Sequence, residues 1–140
     1  MPYISGENNK RKEMDKIVRK IGKLDILGNK VTDMSKCNKI VELILKKCKI
    51  NGDLNYILFA VCRRFVKPSY NNYRTYMSKL SITYHTEGNL RIILIALAQR
   101  LDKEKIPDLY AELDCCNREI YRKIVSKYEE EAIKRNGDVV

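Results

Sequence analysis

From Pro107 onward the chain repeats apolar residues at helical spacing with no break: Leu109, Leu113, Cys116, Ile120, Ile124 and Tyr128. Residues three and four apart share one face of an α-helix. Proline suits the first turn of a helix, Lys134 and Arg135 suit the last, and Asn136-Gly137 is a natural stop. One long amphipathic C-terminal helix follows, and a sheet built around it would need strands that the rest of the chain does not offer.

The same period recurs upstream. Met14, Ile17, Val18, Ile21 and Leu24 mark a helix over roughly 9–26, stopped by Gly28-Asn29. Cys37, Ile40, Val41, Ile44, Leu45 and Cys48 mark a second over roughly 34–49, with Asp33 or Ser35 as its cap. Asn51-Gly52-Asp53 is a turn and cap that opens a third helix on Leu54, Ile57, Leu58, Val61, Cys62 and Phe65. Lys67-Pro68 ends it. Ser69 caps a fourth helix with Tyr70, Tyr73, Met77 and Leu80 in register. The β-branched and aromatic run 81–86 has no partner strand and reads as a connector. Leu90, Ile93, Leu94, Leu97 and Leu101 form a fifth helix, and Ile92 and Ile95 widen its arc so far that it should be the most buried. The expectation is an all-α, compact single-domain bundle of five to six helices over residues 1–140, with the long C-terminal helix as its spine. Leu58, Val61, Ile93, Leu94, Leu97, Ile120 and Ile124 should be buried.

A chain of 140 residues can bury a real core. No run approaches the roughly 18 apolar residues of a membrane span, and Met1-Pro-Tyr-Ile-Ser-Gly6 lacks a signal-peptide pattern. A cytoplasmic location and no membrane partner are expected. Five cysteines without a CxxC pair read as buried, reduced thiols rather than a metal site.

The net charge is +10, unevenly spread: +7 over residues 1–50, +5 over 51–106 and −2 over 107–140. Such a balance favours an anionic partner. Lys10, Arg11, Lys12, Lys16, Arg19, Lys20 and Lys23 cluster on the first helix, with Lys46, Lys47 and Lys49 at the end of the second. A lysine-rich convex face contacts a nucleic-acid backbone without reading sequence.

Nothing points to catalysis. The one histidine, His85, lies in the connector, and no P-loop, GxGxxG or HExxH is present. Glu129, Glu130 and Glu131 read as a solvated turn. Asp53, Asp138 and Glu119 would form a carboxylate site only if the two Asn-Gly-Asp turns met in space. The expected role is binding, without enzyme activity, cofactor or metal. The candidate ligand residues are Arg63, Arg64, Lys67, Tyr70, Tyr73, Arg74 and Arg122. Guanidinium forks clamp phosphate and tyrosine rings stack on bases. Tyr70 and Tyr73 serve equally well as core aromatics.

Met1-Pro-Tyr-Ile4, Gly52-Asp53-Leu54-Asn55-Tyr56, Tyr121-Arg122-Lys123, Tyr128-Glu129 and Asn136-Gly137-Asp138-Val139 resemble a family of short proteins from phages, prophages and bacteria whose function is unassigned. The likeness covers about half the chain. It departs at Lys123, where a second arginine is usual, at Val140, where an aromatic is usual, and in a longer middle between Pro68 and Leu113. The resemblance implies a phage-type accessory protein and transfers no catalytic residue. Joined to the Arg/Tyr cluster, it predicts capture of a small nucleotide-like anion, such as a host immune signal. The alternatives are a nonspecific nucleic-acid-binding protein or a helical protein-interaction module. The wide apolar arc of 90–101 also predicts a homo-oligomer.

Overall fold

The computed structural model describes residues 8–137. Those residues form helices joined by irregular segments, with no strand among them. The helices are α1 (Asn8–Gly22), α2 (Met34–Lys47), α3 (Asp53–Phe65), α4 (Tyr70–Leu80), α5 (Asn89–Arg100), α6 (Ile106–Ile120) and α7 (Ser126–Asn136). A short 3₁₀ turn, Lys103–Lys105, leads into α6, and a π-helical turn, Tyr121–Val125, joins α6 to α7. The C-terminal stretch is therefore one long helix, as its apolar period predicts.

Local chemistry sets most boundaries. Asp33 caps α2 by accepting from the Lys36 amide at 3.0 Å, and Ser69 caps α4 by accepting from the Asn72 amide at 3.0 Å. Gly137 ends α7 with φ 77°, its amide donating to the Ile133 carbonyl at 2.8 Å. The first helix departs from expectation. It stops at Gly22 rather than near residue 26, and Leu24 and Ile26 are buried from an irregular segment. The Phe65 ring occupies the space beside Gly22, where a Cβ would come within 2.4 Å of it. The helix thus ends where α3 approaches closely, six residues before Gly28.

The middle of the molecule is α3. It lies between α1 and α6, and α2 packs on α1 and α5, while α4 packs on α5 and α6. Nine of its residues are buried, from Asp53 to Cys62, against five in α5. The expectation that α5 is the most buried helix is thus corrected. Its neighbours are α2 and α4, so its third side is uncovered and Ile95 remains 40% exposed. Leu58, Val61, Ile93, Leu94, Leu97 and Ile120 are buried as predicted. Ile124 is only half-buried, and Val125 takes its place in the core at 0% exposure. The π turn explains the shift: the Ser126 amide reaches back five residues to the Tyr121 carbonyl. That adds one residue to the turn and advances the apolar face by one position.

Two irregular segments are fastened by buried polar side chains. Asn89 accepts from the Thr32 amide at 2.9 Å and donates to the Asp25 carbonyl and the Thr32 hydroxyl. Lys79, 1% exposed, donates to Asn29 Oδ1 at 2.6 Å and to the Glu87 carbonyl. Desolvation lowers its pKa. Gly88, at φ 121°, lets the segments meet, since a Cβ there would lie 2.1 Å from the Gly28 carbonyl oxygen.

Burial raises the thiols of Cys37 and Cys116 above the ordinary 9.0 and those of Cys48 and Cys62 to about 12. It also raises the phenols of Tyr56, Tyr73 and Tyr76 above 10.0. The unfolded chain then loses these protons first as pH rises. Stability from these groups is complete below their unfolded values and falls as pH climbs towards the folded ones. Lys79 has the opposite sign but is one group among many. Urea midpoints should stay flat between pH 6 and 8 and fall steadily above about pH 9; a midpoint that rises from pH 8 to 10 contradicts this account of the core.

Candidate functional site

The corner between α3 and α4 distributes the predicted ligand residues among several partners. Arg63 lies over the Phe59 ring, 5.3 Å from its centroid, and Lys123 approaches the same ring at 5.6 Å. Arg64 turns to α1 instead and pairs with Asp15 at 3.2 Å. Adjacent residues on a helix point about 100° apart, so the two guanidinium groups cannot share a ligand on one face. Lys67 and Arg74 are exposed. Arg122 donates to both oxygens of Glu119, at 2.9 and 3.2 Å. Tyr73 is 7% exposed and acts as a core aromatic.

What the fold does bring together is a tyrosine cluster. The Tyr128 ring from α7 lies 6.4 Å from the Tyr70 ring and 5.8 Å from the Tyr73 ring, both tilted. The Glu129 carboxylate accepts from the Tyr70 hydroxyl at 3.4 Å and from the Tyr121 hydroxyl. Tyr70, Tyr128, Glu129, Ala132, Ile133 and Arg135 line an open cavity of about 590 Å³. Aromatic rings and Arg135 suit a flat anionic guest. Glu129 opposes a phosphate at its own position. The cluster depends on the π turn, which aims Tyr121 and Glu129 at one another. The sequence marks Tyr121 and Tyr128-Glu129, but nothing in its spacing joins them to Tyr70, 59 residues before Glu129 in the chain.

The second candidate surface is the outside of α1. Between Lys10 and Lys23 every exposed residue is basic: Arg11, Lys12, Arg19, Lys20, Lys16 and Lys23. The two acids of that stretch sit at its seams. Glu13 reaches Lys16 at 3.4 Å and Lys47 of α2 at 4.0 Å. Asp15 takes Arg64 and the Tyr56 hydroxyl of α3, the latter at 3.0 Å. Lys10 leaves the ridge and pairs with Asp53 at 3.0 Å. The result is a convex ridge of positive charge whose negative charges are already engaged.

The first Asn-Gly-Asp turn is structural. Asp53 accepts from the Lys49 amide at 2.8 Å, and Glu112 of α6 accepts from the Gly52 amide at 2.6 Å and from Asn55 at 2.9 Å. The second turn reaches Asp138, which lies outside the described residues, as do the Pro2-Tyr3-Ile4 and Val139 positions of the resemblance. Glu119 is engaged by Arg122 and Lys123. Among the described residues no group of three or more His, Cys, Asp or Glu side chains is placed to hold a metal ion. No helix among them is long and apolar enough to cross a membrane.

A family model described as a domain of unknown function (DUF6899) matches residues 73–139. The matched stretch holds most of α4, all of α5, α6 and α7, and the π turn, and so includes Tyr73, Tyr121, Tyr128 and Glu129 but not α1. No curated protein and no solved structure matches the chain.

The Tyr121–Glu129 contact has a spectroscopic consequence. The hydrogen bond to Glu129 raises the Tyr121 phenol pKa, and repulsion between phenolate and carboxylate adds to it. A Glu129→Gln variant removes the charge. Tyrosine absorbance titrated against pH should then show one exposed phenol ionising earlier than in the wild-type chain. An unchanged curve contradicts the contact.

Proposed function

We propose that this chain is a non-enzymatic binding protein whose α1 ridge lies along the phosphate backbone of nucleic acid without reading its sequence. One observation carries the reading: every exposed residue from Arg11 to Lys23, along α1 and the turn that follows it, is basic, with the acids turned into the seams. A helix of 15 residues spans about 22 Å, long enough to follow several successive phosphates. Six side chains each displacing a counterion imply a steep salt dependence, with a log–log slope of about −5 on duplex. Gel shift or fluorescence anisotropy with random duplex should show that slope. An Arg19→Gln/Lys20→Gln double variant should weaken binding on every sequence alike and flatten the slope by about 2. Salt-insensitive binding, or none at low salt, defeats the reading.

A second reading draws support from the tyrosine cavity and from the phage-type motifs. In it the chain is an accessory protein that captures a nucleotide-like immune signal of a bacterial host, and so blunts a defence pathway, with Tyr70 and Tyr128 stacking on the base and Arg135 facing its phosphates. Capture predicts a thermal shift of several degrees with a cyclic di- or trinucleotide or an ADP-ribose derivative, kept at high salt and lost in Arg135→Ala and Tyr70→Ala. No stabilisation across such a panel, beside salt-sensitive duplex binding, removes this reading and leaves the first.

A further inference from the structure

We propose that a separate cavity at the start of α5 binds a small phosphomonoester carrying an apolar body. About 600 Å³ in volume and open to solvent, it is lined by Asn29, Lys30 and Val31, by His85 to Gly88 of the connector, and by Arg91, Ile92 and Ile95 of α5. That size is within the range of small-molecule sites.

The polar end of the cavity offers donors. Thr86 Oγ1 is buried and has no hydrogen-bond partner. A buried hydroxyl left unpaired is costly, so a group that reaches and satisfies it is favoured. Gly88 is the N-cap of α5 and supplies no side-chain cap, so the first-turn amides are not covered from that side. Beneath them lies the buried Lys79 ammonium, 3.5 Å from where a Gly88 Cβ would be. Two of its three donors are taken by Asn29 and the Glu87 carbonyl. Arg91 holds its guanidinium in place by donating through one nitrogen to the Lys79 and Ser81 carbonyls at 3.1 and 2.8 Å. Arg91 also lines the cavity, and Lys30 and His85 stand on its rim. The opposing charges are Glu87, also on the rim, and Asp25, whose field is felt at Lys79.

The other end is apolar. Val31 and Ile95 are each 40% exposed, and Ile92 lies half-buried between the cavity and the core. Water would serve the donors equally well but would gain nothing from this wall. A ligand with a compact oxyanion at one end and a flat or aliphatic body at the other uses both. A phosphomonoester brings nearly two negative charges and three acceptor oxygens to Lys30, Arg91, Thr86 and the α5 amides, with a body that shields Val31 and Ile95. This site shares no residue with the α1 ridge or the tyrosine cavity, so it stands or falls independently of either reading above.

Phenyl phosphate is the probe, with inorganic phosphate and benzyl alcohol as its two halves, followed by amide NMR on the full chain. Phenyl phosphate should shift the Thr86, Gly88, Asn89 and Ile95 amides saturably, inorganic phosphate should shift Thr86 and Gly88 at roughly tenfold higher concentration, and benzyl alcohol should do neither. The exposed-site variants Lys30→Glu and Ile95→Ser should each weaken phenyl phosphate at least about tenfold while leaving the melting temperature unchanged. Shifts confined to α1, or no saturable shift, overturn the proposal. So does a titration indifferent to both variants. So does a wild-type dimer that Ile95→Ser converts to monomer in light scattering, since a second copy would then be the occupant of the apolar wall.

Discussion

The burial of the first turn of α3 is the constraint on which the rest of the architecture hangs. Asp53 is 3% exposed and Asn55 1%, so a helix start with unpaired amides lies inside the protein. Its donors must be met by protein atoms, while Asn55 Oδ1 is left without a partner. Glu112 comes from α6 to receive the Gly52 amide and the Asn55 side chain, and Lys10 comes from α1 to Asp53. Those contacts fix α1 and α6 on either side of α3. Once both flanks are covered, α3 turns an apolar surface to each, and Ile57, Leu58, Val61 and Cys62 fall into the core together.

Fixing α1 this way also decides where its charge goes. Lys10 is drawn inward and the two acids are drawn to the seams, while Tyr56 and Arg64 of α3 hold Asp15. The remaining cations have only the outer face left. The basic ridge is thus a consequence of packing: the same contacts that position α1 strip its outside of negative charge. Like charges crowded on one helix repel, and folding tolerates this because α1 is anchored through Met14, Ile17, Val18 and Ile21 beneath them. A bound polyanion would relieve the repulsion and add stability by mass action.

Local signals made much of the fold legible. Asp33, Ser69 and Gly137 sit where a cap or stop is needed within three residues, and each does that work. The six-residue core set from Leu58 to Ile120 follows from helical period alone. Features set by distant contacts were not legible. Gly22, where α1 ends, has room for no side chain because the ring of Phe65, over 40 positions later, fills that space. The π turn moves Val125 into the place the period assigns to Ile124. The arc of α5 is as apolar as predicted, yet apolar content does not say which side a neighbour covers, and α3 rather than α5 is enclosed.

The candidate sites divide along the same line. A helical wheel places Arg63 and Arg64 about 100° apart, so their separation was open to inference, whereas the capture of Arg64 by Asp15 requires knowing that α1 packs beside α3. Tyr70 and Tyr73 are three apart and share a face, but the ring they share it with, Tyr128, arrives from the other end of the chain. The ridge differs in kind. Its residues lie within 13 positions, on one helix and the turn that follows it, so its presence is visible in the sequence, and only the disposal of Glu13 and Asp15 waits on the fold. Surfaces made of one element can therefore be read from residue spacing, while cavities such as those beside Tyr128 and Gly88, walled by segments far apart in the chain, exist only after the core has closed.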